Sequence, residues 1–306
     1  MARVLITGGA GYIGAVVAGA FLEAGHAVTV LDALARGGQG LLGYVHHPRF
    51  RFVRGDVRDA RAIREALRGQ DAIVHLAAVV GFGACNADPH RARSVNVNGT
   101  RTLLAARDRG QLLLYASTGS VYGAVPGGLC HEGIAPAPLS LYGRTKLEAE
   151  RMILDAGNAI AFRFATAFGI SPSMRLDLLV NAFVYSARRR GYLVVYDGQA
   201  RRTFIHVQDM ARAFLFGLEH AAALVGEVFN AGSERLNLTK DEVAQLVMAR
   251  QPFLLVHAPA GIDEDQRDYA VCYEKIRAHG FQPQVSIEAG IDELLRGIDL
   301  LPSGEP

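Results

Sequence analysis

Short apolar runs alternate with stretches of helical spacing through the first half of the chain. Val4–Thr7, Ala27–Leu31, Phe50–Arg54, Ala72–Leu76, Leu112–Ala116 and Ala159–Phe164 read as strands. Between them, Tyr12–Ala24, Arg61–Arg68, Arg91–Arg107 and Tyr142–Asp155 carry apolar residues at helical spacing. Gly25 stands where a helix C-terminal cap is expected. Strict alternation of strand and helix predicts a parallel sheet covered on both faces, with right-handed crossovers. After Phe164 the rhythm loosens. A turn at Ser171–Ser173 leads to a predicted helix over Asp177–Arg189, strands over Leu193–Tyr196 and Thr203–Val207, and helices over Asp209–His220, Lys240–Arg250 and Ile287–Arg296. Pro302–Pro306 is expected to fray.

The 306 residues suffice for roughly two lobes and a large core. Basic and acidic residues nearly balance, at 32 against 30, which argues against a nucleic-acid surface. The longest cationic run, Arg188–Arg190, is expected to be a solvated helix end. No apolar run approaches the ~18 residues of a membrane helix. The N-terminus passes straight into a predicted strand, so no secretory signal is expected. Three scattered cysteines fit a reducing, cytoplasmic setting, and the ten histidines show no convincing ligand spacing. No metal is expected.

The first strand runs into Thr7-Gly8-Gly9-Ala10-Gly11-Tyr12-Ile13-Gly14, with glycines at 8, 11 and 14. That spacing suits a tight turn, close backbone approach to a pyrophosphate, and close packing of helix on strand. Phosphates would sit at the helix N-terminus, where free N–H groups and the dipole favour anions. Gly8, Gly11, Tyr12 and Ile13 are therefore expected against a dinucleotide. Asp32 ends the second strand, 18 residues past Gly14, near the ~20 expected of the acid that holds a ribose hydroxyl pair. A carboxylate there repels a 2′-phosphate and favours NAD; Arg36, nearby, is the cation that would reverse this. Asp56-Val57 follows the third strand, where the acid can accept from an adenine amino group or cap the next helix. The expected fold is thus α/β. A Rossmann-like doubly wound parallel sheet takes residues 1–165, and a smaller mixed α/β substrate lobe takes 166–306, with segments returning to the first domain.

Tyr142 and Lys146 stand four residues apart, on one face of a predicted helix. A phenol is a poor base at neutral pH, with a pKa of about 10. A cation within roughly 4–6 Å favours the phenolate, which makes a general base able to take a sugar hydroxyl proton. One strand earlier, Leu114–Gly123 opens from a strand into a polar turn. Hydroxyls at the carboxyl end of a parallel strand lie in the ligand crevice, so Thr118 can bond the reacting oxygen beside Tyr142. Ser120 fits a turn.

Together these segments resemble the extended short-chain dehydrogenase/reductase family, in particular its nucleotide-sugar epimerases and dehydratases. The resemblance covers nearly the whole chain. It is carried by Thr7–Gly14, Asp32, Asp56-Val57, His75–Ala78, Asn96 with Asn98–Thr100, Ser117-Thr118, Tyr142 with Lys146, and Arg202–Val207. It implies that Leu76-Ala77-Ala78 and Ser117 line the cofactor, that Asn96 braces the neighbouring helix, and that Thr118, Tyr142 and Lys146 form the catalytic trio. It places Thr166, Asn181 and Tyr196 at the substrate, and Arg202 and Arg267 on its phosphates, which arginine's fork suits. Arg202 can equally flank a strand, and Arg267 can pair with Asp265 or Asp268. Two departures stand out. Thr166 replaces the usual asparagine, and Gly119-Ser120 replaces the Asp-Glu pair with which dehydratases of this family remove water.

The expectation is therefore an NAD-dependent epimerase of a nucleoside-diphosphate sugar, acting at carbon 4 through a keto intermediate, as a homodimer. The alternatives are an NAD(P)-dependent keto-sugar reductase or decarboxylase of the same family, or a non-catalytic dinucleotide sensor. A sensor would need the glycine turn but not Thr118, Tyr142 and Lys146 together.

Overall fold

β1 (Arg3–Thr7) lies in the interior of a seven-stranded sheet. On one side of it follow β2 (Ala27–Asp32) and β3 (Phe50–Arg54); on the other, β4 (Ala72–His75), β5 (Leu112–Thr118), the Ala159–Phe164 strand and the Val228–Ala231 strand. Every neighbouring pair is parallel. In this computed structural model residues 1–125, 128–258 and 268–301 are described. The expectations for Arg267 and for Pro302–Pro306 lie outside the described residues.

Strand order reverses between β1 and β4, because the chain returns to the other side of β1 after β3. Such a switch point opens a crevice at the carboxyl ends of the strands. α1 (Tyr12–Glu23) starts there. It packs on one face of the sheet together with the Val207–Glu219 helix, over a core containing Phe21, Phe162 and Phe214. Burying each such side chain stabilises by roughly 1.5–3 kcal/mol. The opposite face is covered by α2 (Ala60–Leu67), the Gly99–Ala106 helix and the Leu141–Asp155 helix. Both faces are therefore buried, as the strand–helix alternation implied.

The C-terminal lobe has its own apolar cluster, built on Phe168, Val184, Phe204, Val247 and Leu294. It contains a three-stranded sheet of Asn237–Thr239, Arg201–His206 and Thr166–Phe168. The short strands at Thr166–Phe168 and Val228–Ala231 were not foreseen; the latter returns to the edge of the main sheet. Two predicted helices are less regular than their spacing suggested. Arg91–Arg107 resolves into Pro89–Arg93, a wider π turn at Ser94–Asn98, and Gly99–Ala106. The helix expected over Asp177–Arg189 is α-helical only at Leu179–Tyr185 and ends in a π turn, Ser186–Arg190. There the arginine run does more than meet solvent. Arg188 pairs with Asp299 at 2.7 Å, and Arg189 donates to the carbonyls of Ile298 and Leu301. Arg188 and Arg189 thus tie this π turn to the C-terminal end of the Ile287–Ile298 helix and the residues just after it.

Candidate active site

Gly11 precedes α1 in an extended conformation, and neither a capping side chain nor an acid occupies the helix's first turn. Its leading N–H groups are thus left for an anionic ligand. Gly8 has φ +75°, and a Cβ there would lie 2.7 Å from the backbone nitrogen of Ala77. Only glycine lets the β1 turn pass so close to the segment after β4. Asp32 accepts from the N–H of Ala10 at 3.0 Å and from the N–H of Leu34 at 2.7 Å. Its carboxylate is thereby fixed beside the glycine turn with lone pairs to spare. These residues line a cleft of about 750 Å³, with Tyr12, Ile13, Asp56, Val57, Leu76, Ala77, Ala78 and Ser117. The cleft fits a dinucleotide: a donor-rich turn, a fixed acid at a strand end, and apolar walls.

Two of the cofactor-side residues have other duties. The Tyr12 hydroxyl donates to the carbonyl of Gly169 at 2.7 Å, and burial pushes its pKa well up. Its side chain therefore pins α1 to the C-terminal lobe. Asp56 is chelated by Arg58, at 2.9 and 2.7 Å, which holds its pKa below the usual carboxylate value. Asp59, not Asp56, caps α2. Asn96 does not line the cleft. It is buried, accepts from the N–H of Val79, and donates to the Val79 carbonyl and to Thr145 Oγ1. It ties the segment after β4 to the Leu141–Asp155 helix.

That helix begins at Ser140, whose hydroxyl accepts from the Gly143 N–H. A Cβ on Gly143 would stand 2.8 Å from the Ser120 carbonyl oxygen. The absent side chain lets the helix start against the turn that follows β5, which brings Tyr142 and Thr118 to one cleft. Both line the cleft, as does Lys146. Thr118 Oγ1 accepts from the Ser120 N–H and donates to the Ser120 hydroxyl. Lys146 is almost wholly buried, and its ammonium sits 4.1 Å from the centroid of the Tyr115 ring. Among the described residues no hydrogen-bond acceptor is placed for it. Burial lowers its pKa to about 7, against the opposing pull of the Glu150 carboxylate. Beneath it, His75 bonds Thr7 and Thr100, and burial lowers its pKa to about 3, so it is neutral.

Glu150 was missed by the sequence reading, although its position one helical turn after Lys146 was a usable signal. Its carboxylate accepts from the Ser117 hydroxyl at 2.5 Å and from the Arg163 guanidinium at 2.6 and 3.1 Å. Arg163 also donates to the Tyr122 hydroxyl, which donates in turn to Asn230.

The C-terminal lobe supplies fewer of the expected residues. Thr166 lines the cleft. Asn181 does not: it is fully buried, accepts from the Gly169 N–H, and donates to the Arg175 carbonyl and the Tyr12 hydroxyl. Tyr196 is exposed beyond a short strand, away from the cleft lining. Arg202 is buried in its strand and donates to the Arg201 carbonyl; it too is absent from the cleft lining. Arg175 does line the cleft, paired with Asp177, and had no sequence signal. Among the described residues no cluster of His, Cys, Asp or Glu is placed to hold a metal, and no helix is long and apolar enough to cross a membrane.

A switch-point cleft with a glycine turn, a strand-end acid and a Tyr–Lys pair defines a dinucleotide-dependent enzyme of the doubly wound class. The chain belongs to the NAD dependent epimerase/dehydratase family, whose model matches residues 4–232. It is 34% identical to the low-salt glycan biosynthesis protein Agl12 of Haloferax volcanii, over 94% of this chain and 96% of that protein. It is 30% identical to a dTDP-glucose 4,6-dehydratase of Streptomyces niveus, over 95% of this chain and 91% of the relative. The Thermus thermophilus UDP-glucose 4-epimerase in complex with NAD superposes with a TM-score of 0.85 at 26% identity, over 97% of this chain and 99% of that one. Epimerases and dehydratases thus both stand among its relatives.

Proposed function

We propose that the protein is an NAD-dependent 4-epimerase of a nucleoside-diphosphate sugar. One observation carries the choice. Gly119 and Ser120, buried directly after Thr118, supply no carboxylate to the turn beside Tyr142. Among the described residues, the acids that line the cleft are engaged elsewhere: Asp32 by the amides of Ala10 and Leu34, Asp56 by Arg58, Asp88 as a helix cap. Removal of water from a sugar needs an acid and a base at neighbouring carbons. Epimerisation needs only one proton acceptor, which also returns the proton.

Tyr142 takes the proton from the sugar hydroxyl and gives it back. The Lys146 ammonium favours the phenolate form of a neighbouring phenol by charge, and Thr118 donates to the reacting oxygen. NAD, when bound, supplies a hydride acceptor that can return the hydride to either face of the sugar carbon. The segment from Thr166 to Leu178, with Arg175, forms the substrate side of the cleft.

A second reading, a 4,6-dehydratase, is favoured by the identity to the Streptomyces niveus enzyme over almost the whole chain. Incubation with UDP-, dTDP-, GDP- and CDP-sugars, with NMR of the products, separates the two. Interconversion of 4-epimers is expected. A 4-keto-6-deoxy product would establish dehydration instead, and turnover of a keto sugar that consumes reduced cofactor would establish a reductase.

A further inference from the structure

Glu150 and Arg163 are 2% and 5% exposed at their side chains, and the pair is closed at 2.6 Å. A buried ion pair contributes little net stability, because desolvation of both charges offsets their attraction. Stability alone therefore gives a weak account of it, while its connections are specific. Glu150 lies on the Leu141–Asp155 helix, Arg163 on the Ala159–Phe164 strand, and Ser117 at the end of β5. The Ser117 hydroxyl donates to the same carboxylate oxygen that accepts from Arg163 Nε. Thr118 is the next residue along β5, and Lys146 is one helical turn before Glu150.

We propose that Glu150 is a positioning residue for this site: it locks the end of β5 to the Leu141–Asp155 helix, so that Thr118 and Lys146 flank the Tyr142 hydroxyl. The inference rests on the reading of Tyr142 as the proton acceptor. An ionised acceptor makes a shorter and stronger bond than a neutral one, which suits a fixed register between a strand and a helix. Arg163 aims that carboxylate with two hydrogen bonds, and Tyr122 with Asn230 keeps Arg163 in place. No member of this network other than Ser117 lines the cleft. Its influence on the chemistry therefore runs through the Ser117 bond and along the helix.

Ser117→Ala cuts the link and leaves the ion pair whole. Glu150→Gln together with Arg163→Met removes both charges at once and avoids a stranded buried cation. Ser117→Thr keeps a hydroxyl for Glu150. Each is measured beside Tyr142→Phe for kcat, KM, NAD content and Tm. Ser117→Ala is expected to lower kcat roughly tenfold to a hundredfold, the span of one charge-assisted hydrogen bond. KM for the sugar nucleotide and NAD content should stay within about twofold, and Ser117→Thr should recover most of the loss. In the charge-free background Ser117→Ala should add little, because coupled residues are not additive. If the double variant does not fold, Ser117→Ala and its rescue by threonine decide the matter. Near-normal kcat in Ser117→Ala while Tyr142→Phe is inactive would overturn the positioning role. So would additive losses, or a rise in KM with kcat unchanged. An active Tyr142→Phe would instead overturn the reading on which the inference rests.

Discussion

The two walls of the cleft are built by different means. One wall is the end of β5 with the Leu141–Asp155 helix, where Thr118, Tyr142 and Lys146 converge. Its key spacing is four residues on one helix, so the face shared by phenol and ammonium follows from helical geometry. The other wall comes from the C-terminal lobe, through the short Thr166–Phe168 strand and the irregular chain that follows it to Leu178. No periodicity fixes where its side chains point. Of the substrate residues expected from that lobe, Thr166 reaches the cleft, while Asn181 is sealed inside and Arg202 lies within a strand. Local rules place chemistry when one element carries it; when several elements share it, packing decides.

Four measurements sharpen this contrast. Tyr142→Phe should remove turnover by roughly 10²–10⁴-fold and leave circular dichroism and Tm near wild type, since proton transfer carries that much. Near-normal turnover in a folded variant would break the assignment of the first wall.

The second wall is probed by a pair. Arg175→Ala should weaken nucleotide-sugar affinity about 10- to 100-fold, the value of a charge-assisted contact, with NAD binding little changed. Asn181→Ala should do the reverse. It leaves buried partners unmet, costing about 1–3 kcal/mol of stability, and changes affinity little in the folded protein. Titration calorimetry with nucleoside diphosphates, beside thermal melts, measures both. Equal loss of affinity in the two variants would return Asn181 to the substrate side.

Lys146 gives a pH test. Burial lowers its pKa from 10.5 to about 7. Between about pH 7 and pH 10 the unfolded chain therefore holds a proton that the folded chain has released, and stability rises with pH. Below pH 7 both states are protonated and the full cost of burying the ammonium is present. Lys146→Met should raise Tm most below pH 7, by an amount that shrinks as pH rises towards 10, while abolishing turnover. A Tm gain independent of pH would show that the ammonium is not held down by burial. The smallest effect is expected from Thr118→Val, a loss of roughly three- to tenfold in kcat for one neutral hydrogen bond.

The strand–helix alternation, the glycine turn, Asp32 and the Tyr142–Lys146 spacing were all legible in the sequence. Each is a local pattern with a short-range physical cause: period, backbone freedom, or a helical turn. Glu150 was within reach of the same logic, one turn beyond Lys146, but its partners Ser117 and Arg163 come from two other strands. Asp56 kept two readings until the fold showed Arg58 holding it and Asp59 capping the helix.

The sequence by itself determined a doubly wound sheet and the Tyr142–Lys146 side of the cleft, because alternation and i, i+4 spacing are properties of the chain's own geometry. The tertiary structure alone decided which C-terminal side chains face the cleft. There the outcome turned on contacts between residues far apart in the chain, such as Tyr12 with Gly169 and Asn181. Buried polar groups must be satisfied wherever packing puts them, and that demand claimed Asn181 for the interior while leaving Arg175 at the surface of the cleft.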